Sequence, residues 1–145
     1  MSGYADAALL CSLYAPDAHT ARAIACLDKQ SQPLPIVWIH QLEVRNALRL
    51  RVFRREITSA QRDTSLNALL ADLANGVLVI VSPPLTEVLT EAERLSALHS
   101  DTLGTRSLDI LHVAAAVVLG SQEFLTFDRR QANLARAAGL IVPVV

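Results

Sequence analysis

Lysine is almost missing from this chain. Of 13 basic side chains only Lys29 is a lysine, and the rest are arginines. Set against 14 carboxylates they leave a net charge of −1. No overall positive field marks the protein as a nucleic-acid or membrane-surface binder. Glycine and proline are also scarce, 5 and 6 in 145 residues, which excludes a disordered or low-complexity chain. The two cysteines, Cys11 and Cys26, sit in apolar helical stretches. They read as reduced core thiols of a cytosolic protein rather than as a disulfide framework. The longest apolar run, Val113–Leu119, falls far short of the roughly 20 residues that span a bilayer. No basic-then-apolar leader opens the chain. A Gly-rich phosphate loop, a Gly-x-Ser-x-Gly elbow, a Cys-x-x-Cys pair and zinc-spaced histidines are all lacking. The expectation is a cytoplasmic protein with no membrane segment.

What the chain does have is apolar mass, 52% of its residues, enough for one domain over residues 1–145 with a proper core. Short runs at Gly3–Asp6, with Asp6 at its exit, Pro35–Trp38, Val77–Val81, Phe124–Thr126 and Leu140–Val142 read as strands, the second and third continuously apolar as buried parallel strands are. Longer periodic segments between them read as helices: Ala7–Tyr14, Pro16–Lys29, His40–Arg55, Thr58 to Asn75-Gly76, Thr86–His99, Arg106 to Gly120, and Arg129–Ala138 closed by Gly139. In the third of these Leu42, Ala47, Leu48, Leu50 and Val52 are expected inward. Thr58-Ser-Ala-Gln61 has capping-box spacing. Trp38 is expected in the core. Strands alternating with helices predict an α/β domain about a parallel sheet, whose ligands bind outside the carboxyl ends of the strands.

The segment Arg106–Asp128 is the most informative. A helix apolar nearly all round is normally buried, and it carries the carboxylate Asp109 in its first turn. The strand after it ends beside a second carboxylate, Asp128. Buried carboxylates need a positive neighbour. Asp6 stands at the exit of the first strand, and Glu43 lies five residues after the second. Parallel strands would bring Asp6 and Asp128 to one rim, with Glu43 and Asp109 close by. A hard divalent ion, Mg²⁺ or Mn²⁺, prefers such oxygen donors. It would serve phosphodiester hydrolysis by lowering the pKa of water and stabilising the leaving oxygen. Each acid also has a plainer reading. Asp6 and Asp128 could cap the helices that follow them. Glu43 and Asp109 could answer a helix dipole, or Asp109 could pair with Arg106 or with His112. His112, one turn past Asp109, is expected as a packed, hydrogen-bonded core residue. Arg45 and Arg49 could grip RNA phosphates or simply face solvent.

These segments carry a resemblance. Tyr4-Ala-Asp6, Leu42-Glu43-Val-Arg-Asn-Ala-Leu48, Arg106-Ser-Leu-Asp109-Ile-Leu-His-Val-Ala-Ala-Ala116, Phe124-Leu-Thr-Phe-Asp128 and Leu134-Ala-Arg-Ala-Ala-Gly139 occur in an order and spacing similar to PIN-domain ribonucleases, most nearly the VapC-type toxins of toxin–antitoxin pairs. The resemblance implies a PIN-like three-layer sandwich with a parallel sheet of about five strands in the order 3-2-1-4-5. It also implies a metal-dependent endoribonuclease, a homodimer, and an antitoxin that blocks the site. Asp6, Glu43, Asp109 and Asp128 fall on the family's acidic positions, as catalytic and metal-binding residues. Thr126 falls on its hydroxyl position. Ala7-Ala8 departs from the hydroxyl residues common after the first acid, which leaves open a catalytically inactive module that works by binding a partner. A phosphoacceptor signalling domain is a more distant alternative, since only one acid follows the first strand and no lysine follows a late one.

Overall fold

The computed structural model describes residues 2–143, so the outermost termini of the expected 1–145 domain lie outside it. Within that range the chain runs β1 Gly3–Ala5, α1 Ala7–Tyr14, α2 Thr20–Asp28, β2 Leu34–Ile36, α3 Trp38–Phe53, α4 Ser59–Ala74, β3 Leu78–Ile80, α5 Leu85–Leu103, α6 Ser107–Val118, β4 Glu123–Leu125 and α7 Arg129–Ala137. The architecture is α/β, as the alternation predicts. No described helix is long and apolar enough to cross a membrane. Cys11 and Cys26 are both free and buried.

Side-chain alternation along three-residue strands gives the sheet two apolar faces. Tyr4 and Phe124 pack with Val88, Leu95, Val113 and Leu134 from α5, α6 and α7. Their neighbours Ala5 and Leu125 turn the other way, to Leu9, Leu10, Leu48 and Leu69 from α1, α3 and α4. The result is three layers, with one core on each side of the strands.

The strands pair differently from a continuous five-stranded sheet. β1 lies parallel to β4 with Tyr4 opposite Phe124, and β2 lies parallel to β3 with Pro35 opposite Val79. These are two separate two-stranded ladders, and the expected fifth strand is a single bridge from Ile141 to Glu123. The break between β1 and β2 has a chemical cause. The Leu34 amide and the Ile36 carbonyl both bond to the β3 side. Pro35, between them, is therefore the residue facing β1, and proline has no N–H to give. The Ala5 carbonyl is taken instead by His40, whose Nε2 lies 2.7 Å away. Nδ1 of the same ring accepts the Val37 amide at 3.0 Å. One buried imidazole thus joins β1 to the exit of β2.

That ring also corrects the expected start of α3. Val37 is the N-cap and Trp38 the first helical residue, so Trp38 is no strand residue and stands 41% exposed. The buried stripe runs through His40, Val44 and Leu48, at i, i+4 and i+8. Leu42, expected inward, is 69% exposed, and Leu50 is also outside. In β3 only Leu78 is buried, and the strand is paired on one side only. α2 starts at Thr20 rather than at Pro16, since Asp17 is occupied by Ser12 and Arg51. The Thr58–Gln61 capping box forms as its spacing predicts, with Thr58 N–H to Gln61 Oε1 at 2.8 Å and Gln61 N–H to Thr58 Oγ1 at 3.1 Å.

Candidate functional site

β1 and β4 are parallel neighbours, so their carboxyl ends share a rim, and each ends beside an aspartate. Asp6 caps α1, accepting the Leu9 amide at Oδ1, 2.8 Å. Asp128 caps α7, accepting the Gln131 amide at 2.9 Å. Thr126 ties the two together. Its hydroxyl donates to Asp6 Oδ2 and accepts the Asp128 amide at 3.0 Å. Asp109 enters from α6. Its own carbonyl lies 3.5 Å from Gln131 Nε2, and its carboxylate is held by Arg106 Nε at 3.0 Å. Arg106 also reaches Asp128, Nη2 to Oδ2 at 3.9 Å. Asp6, Thr126, Gln131, Arg106, Asp109 and Asp128 are thus linked across one end of the β1–β4 ladder.

Glu43 reaches the same neighbourhood by another route. It is half-buried on α3 and bonds to His112 Nε2 at 2.9 Å. His112 Nδ1 bonds to the Tyr4 hydroxyl at 2.8 Å. Tyr4 lies two residues before Asp6, and His112 one turn after Asp109. The rings of Tyr4, His40, His112 and Phe124 form one cluster, in which Tyr4 stacks on Phe124, meets His112 edge-on and is tilted against His40, with His40 and His112 centroids 4.7 Å apart.

The electrostatics register this crowding. Burial raises the Asp6 pKa, and the Asp109 charge adds to the rise, while the bonds from Thr126 and Leu9 and the His112 ring oppose it. Tyr4 is pushed well above the ordinary phenol value by burial and by Glu43 and Asp6. Burial, helped by His112, lowers His40 to about 3, so its ring is neutral at physiological pH.

All four candidate acids offer hard oxygen donors, which suits Mg²⁺ or Mn²⁺ in kind. Yet among the described residues no three His, Cys, Asp or Glu side chains stand close enough to form a ready cage. The positive partner at the site is the chain's own Arg106, on Asp109 and Asp128, and the His112 ring is hydrogen-bonded to Glu43. Arg45 and Arg49 are not brought to it. At 100° per residue they leave α3 about 200° and about 240° round from Glu43, and neither has an ion pair among the described residues. A surface groove of about 530 Å³ is lined by Asp28, Gln30, Gln32, Pro33 and Asp72. It lies at the amino ends of β2 and β3, the rim opposite to where α/β sheets bind ligands.

No family model and no curated relative matches this chain. A solved structure does. The chain resembles FitAcB of Neisseria gonorrhoeae. The TM-score is 0.66 at 18% identity, over 97% of this chain and 95% of that one. At that identity the likeness to FitAcB is one of fold, and it takes in nearly the whole chain.

Sequence reasoning missed two partners, Tyr4 and Gln131, whereas His112 is the packed, hydrogen-bonded core residue expected. Tyr4 and His112 had a positional signal, since each shares a strand or helix face with a candidate acid, i−2 from Asp6 and i+3 from Asp109. Gln131 stands three residues after Asp128, the capping-box offset, but its side chain turns to Thr126 and Asp109 instead of closing the box. Arg106 was expected as a pairing option for Asp109; its reach to Asp128 has no sequence signal.

Proposed function

We propose that this protein is a metal-dependent endoribonuclease of the PIN type, the toxin of a VapC-like toxin–antitoxin pair, with Asp6, Glu43, Asp109 and Asp128 holding a Mg²⁺ or Mn²⁺ ion. The observation that carries the reading is the linkage of Asp6 to Asp128 through Thr126 at the β1–β4 rim, with Asp109 near enough to raise the Asp6 pKa. A fold held in common with FitAcB over almost the full length is consistent with it. When bound, the ion would supply an acidified water and neutralise charge on the leaving oxygen of the RNA phosphodiester. The chain's own part is positioning. Thr126 and the Leu9 amide fix the two Asp6 oxygens, His112 fixes Glu43, and Gln131 anchors the backbone of Asp109. An antitoxin and a second copy of the chain belong to the same proposal, and the exposed Leu42, Phe53, Leu85 and Leu89 offer apolar surface to such partners.

A second reading has its own observation. Arg106 already neutralises Asp109 and Asp128, and Ala7-Ala8 supplies no hydroxyl beside Asp6. A module that binds a partner without cutting RNA would look the same. Asp6→Asn separates the two. Asparagine caps a helix as well as aspartate does, so the fold should survive. The nuclease reading expects Mn²⁺-stimulated RNA cleavage by the wild-type protein, falling at least about a hundredfold in the variant, with growth arrest on expression of the wild type only. Equal cleavage by both proteins refutes the assignment, and no cleavage by either favours the binding module.

A further inference from the structure

We propose that Tyr4 and His112 form a buried positioning relay that sets the orientation of Glu43, making them specific determinants of the site rather than core filling. The inference rests on the reading of Glu43 as a site acid.

Three elements contribute to the relay: Tyr4 from β1, His112 from α6 and Glu43 from α3. Tyr4 is fully buried and His112 is 2% exposed, so the bond between them is shielded from solvent and the one to Glu43 is partly so. With a neutral ring the chemistry leaves one direction. An ionised carboxylate only accepts, so Nε2 of His112 must carry the proton that goes to Glu43 Oε1, 2.9 Å away. In the neutral ring Nδ1 is then an acceptor, and the Tyr4 hydroxyl, 2.8 Å away, must donate to it. Tyr4 O–H to Nδ1, Nε2–H to Glu43 is a one-way chain, and the phenol selects the tautomer that the carboxylate needs. Histidines placed this way hold a ligand carboxylate or a metal by fixing ring and proton together.

Position argues against a filling role. Each relay member is one short step from another acid of the site. Tyr4 shares a strand face with Asp6, and His112 shares a helix face with Asp109. The relay therefore forms the floor beneath the rim. Glu43 is the one candidate acid that has no cap role and no arginine partner among the described residues, and His112 is hydrogen-bonded to it. Without that ring a half-buried glutamate would turn to solvent.

The test uses the full chain and three variants, with Mn²⁺ alone as the probe. His112→Gln keeps an N–H near the Nε2 position, whereas His112→Asn keeps only the Nδ1 side. Tyr4→Phe leaves the ring in place and removes the proton that selects its tautomer. Calorimetric titration should show Mn²⁺ binding weakened about 10- to 100-fold in His112→Asn and less in Tyr4→Phe, with His112→Gln within about threefold of wild type. RNA cleavage should lose kcat in the same order with KM held. The ¹⁵N spectrum of the wild-type histidines should show His112 protonated at Nε2. The relay is overturned if His112→Asn and Tyr4→Phe melt lower but bind Mn²⁺ like the wild type, or if the ring carries its proton at Nδ1 alone. Should His112→Asn fail to fold, Tyr4→Phe still decides the matter. If the wild type binds Mn²⁺ and Glu43→Gln binds it equally well, the assignment of Glu43 falls and takes the relay with it. If the wild type binds none, the metal reading itself fails.

Discussion

His40 should make this protein acid-labile well above the usual carboxylate range. Folded, the ring is neutral: Nε2–H donates to the Ala5 carbonyl and Nδ1 accepts the Val37 amide. Its folded pKa is about 3, lowered first by burial and then by His112, against 6.5 for a free histidine. Between those values the unfolded chain holds a proton that the folded chain does not. Stability therefore rises with pH across the window and is lost as pH falls below 6.5. At 1.36 kcal/mol per unit, pH 5 removes roughly 2 kcal/mol, and the full window about 5 kcal/mol. A domain of this size has on the order of 5–15 kcal/mol in total. Asp6 opposes the trend, because a raised carboxyl pKa lets the folded chain take its proton first. A difference between variants isolates the histidine. His40→Gln keeps a donor for Ala5 and cannot titrate. Urea denaturation at pH 7, 6 and 5 should find the wild type more stable at pH 7, with that advantage shrinking by roughly 2 kcal/mol at pH 5. An advantage independent of pH would refute the neutral, bridging imidazole.

Two further outcomes follow from named contacts. Arg106 is 65% exposed, so its pairs with Asp109 and Asp128 are of the weak surface kind. Arg106→Gln should lower the Mn²⁺ concentration for half-maximal binding by up to about fivefold, read by calorimetry; a higher requirement would mean that the guanidinium helps to hold the site. Arg55 closes α3 with φ at +61°, a left-handed position where a side chain costs about 1 kcal/mol. Arg55→Gly should raise Tm by about 2 °C in calorimetry, and an unchanged or lower Tm would remove that strain from the account.

Much of the fold was legible because its signals are local. Thr58 and Gln61 close a box that their spacing announces, and the alternation of apolar runs with periodic segments gave the α/β class. The acids at strand exits were legible for the same reason, since Asp6 and Asp128 follow short apolar runs directly. What stayed hidden depends on contacts distant in sequence. Pro35-Ile-Val-Trp38 reads as a strand by hydrophobicity alone, but α3 begins inside it, because the His40 side chain caps the Val37 amide. A polar residue in a buried stripe breaks the expected pattern, so hydrophobicity alone points Leu42 and Leu50 inward and leaves His40 out. Val79 and Ile80 look like core, yet an edge strand leaves them exposed. The Glu43–His112–Tyr4 chain spans residues 4 to 112, and no window of the sequence displays it.

Diffraction from crystals soaked in Mn²⁺ tests the central claim most directly. The account predicts an anomalous peak among oxygens of Asp6, Asp109 and at least one of Glu43 and Asp128, with Arg106 withdrawn from Asp109. A protein that soaks at millimolar Mn²⁺ with no such peak, and with Arg106 still on both aspartates, would contradict it.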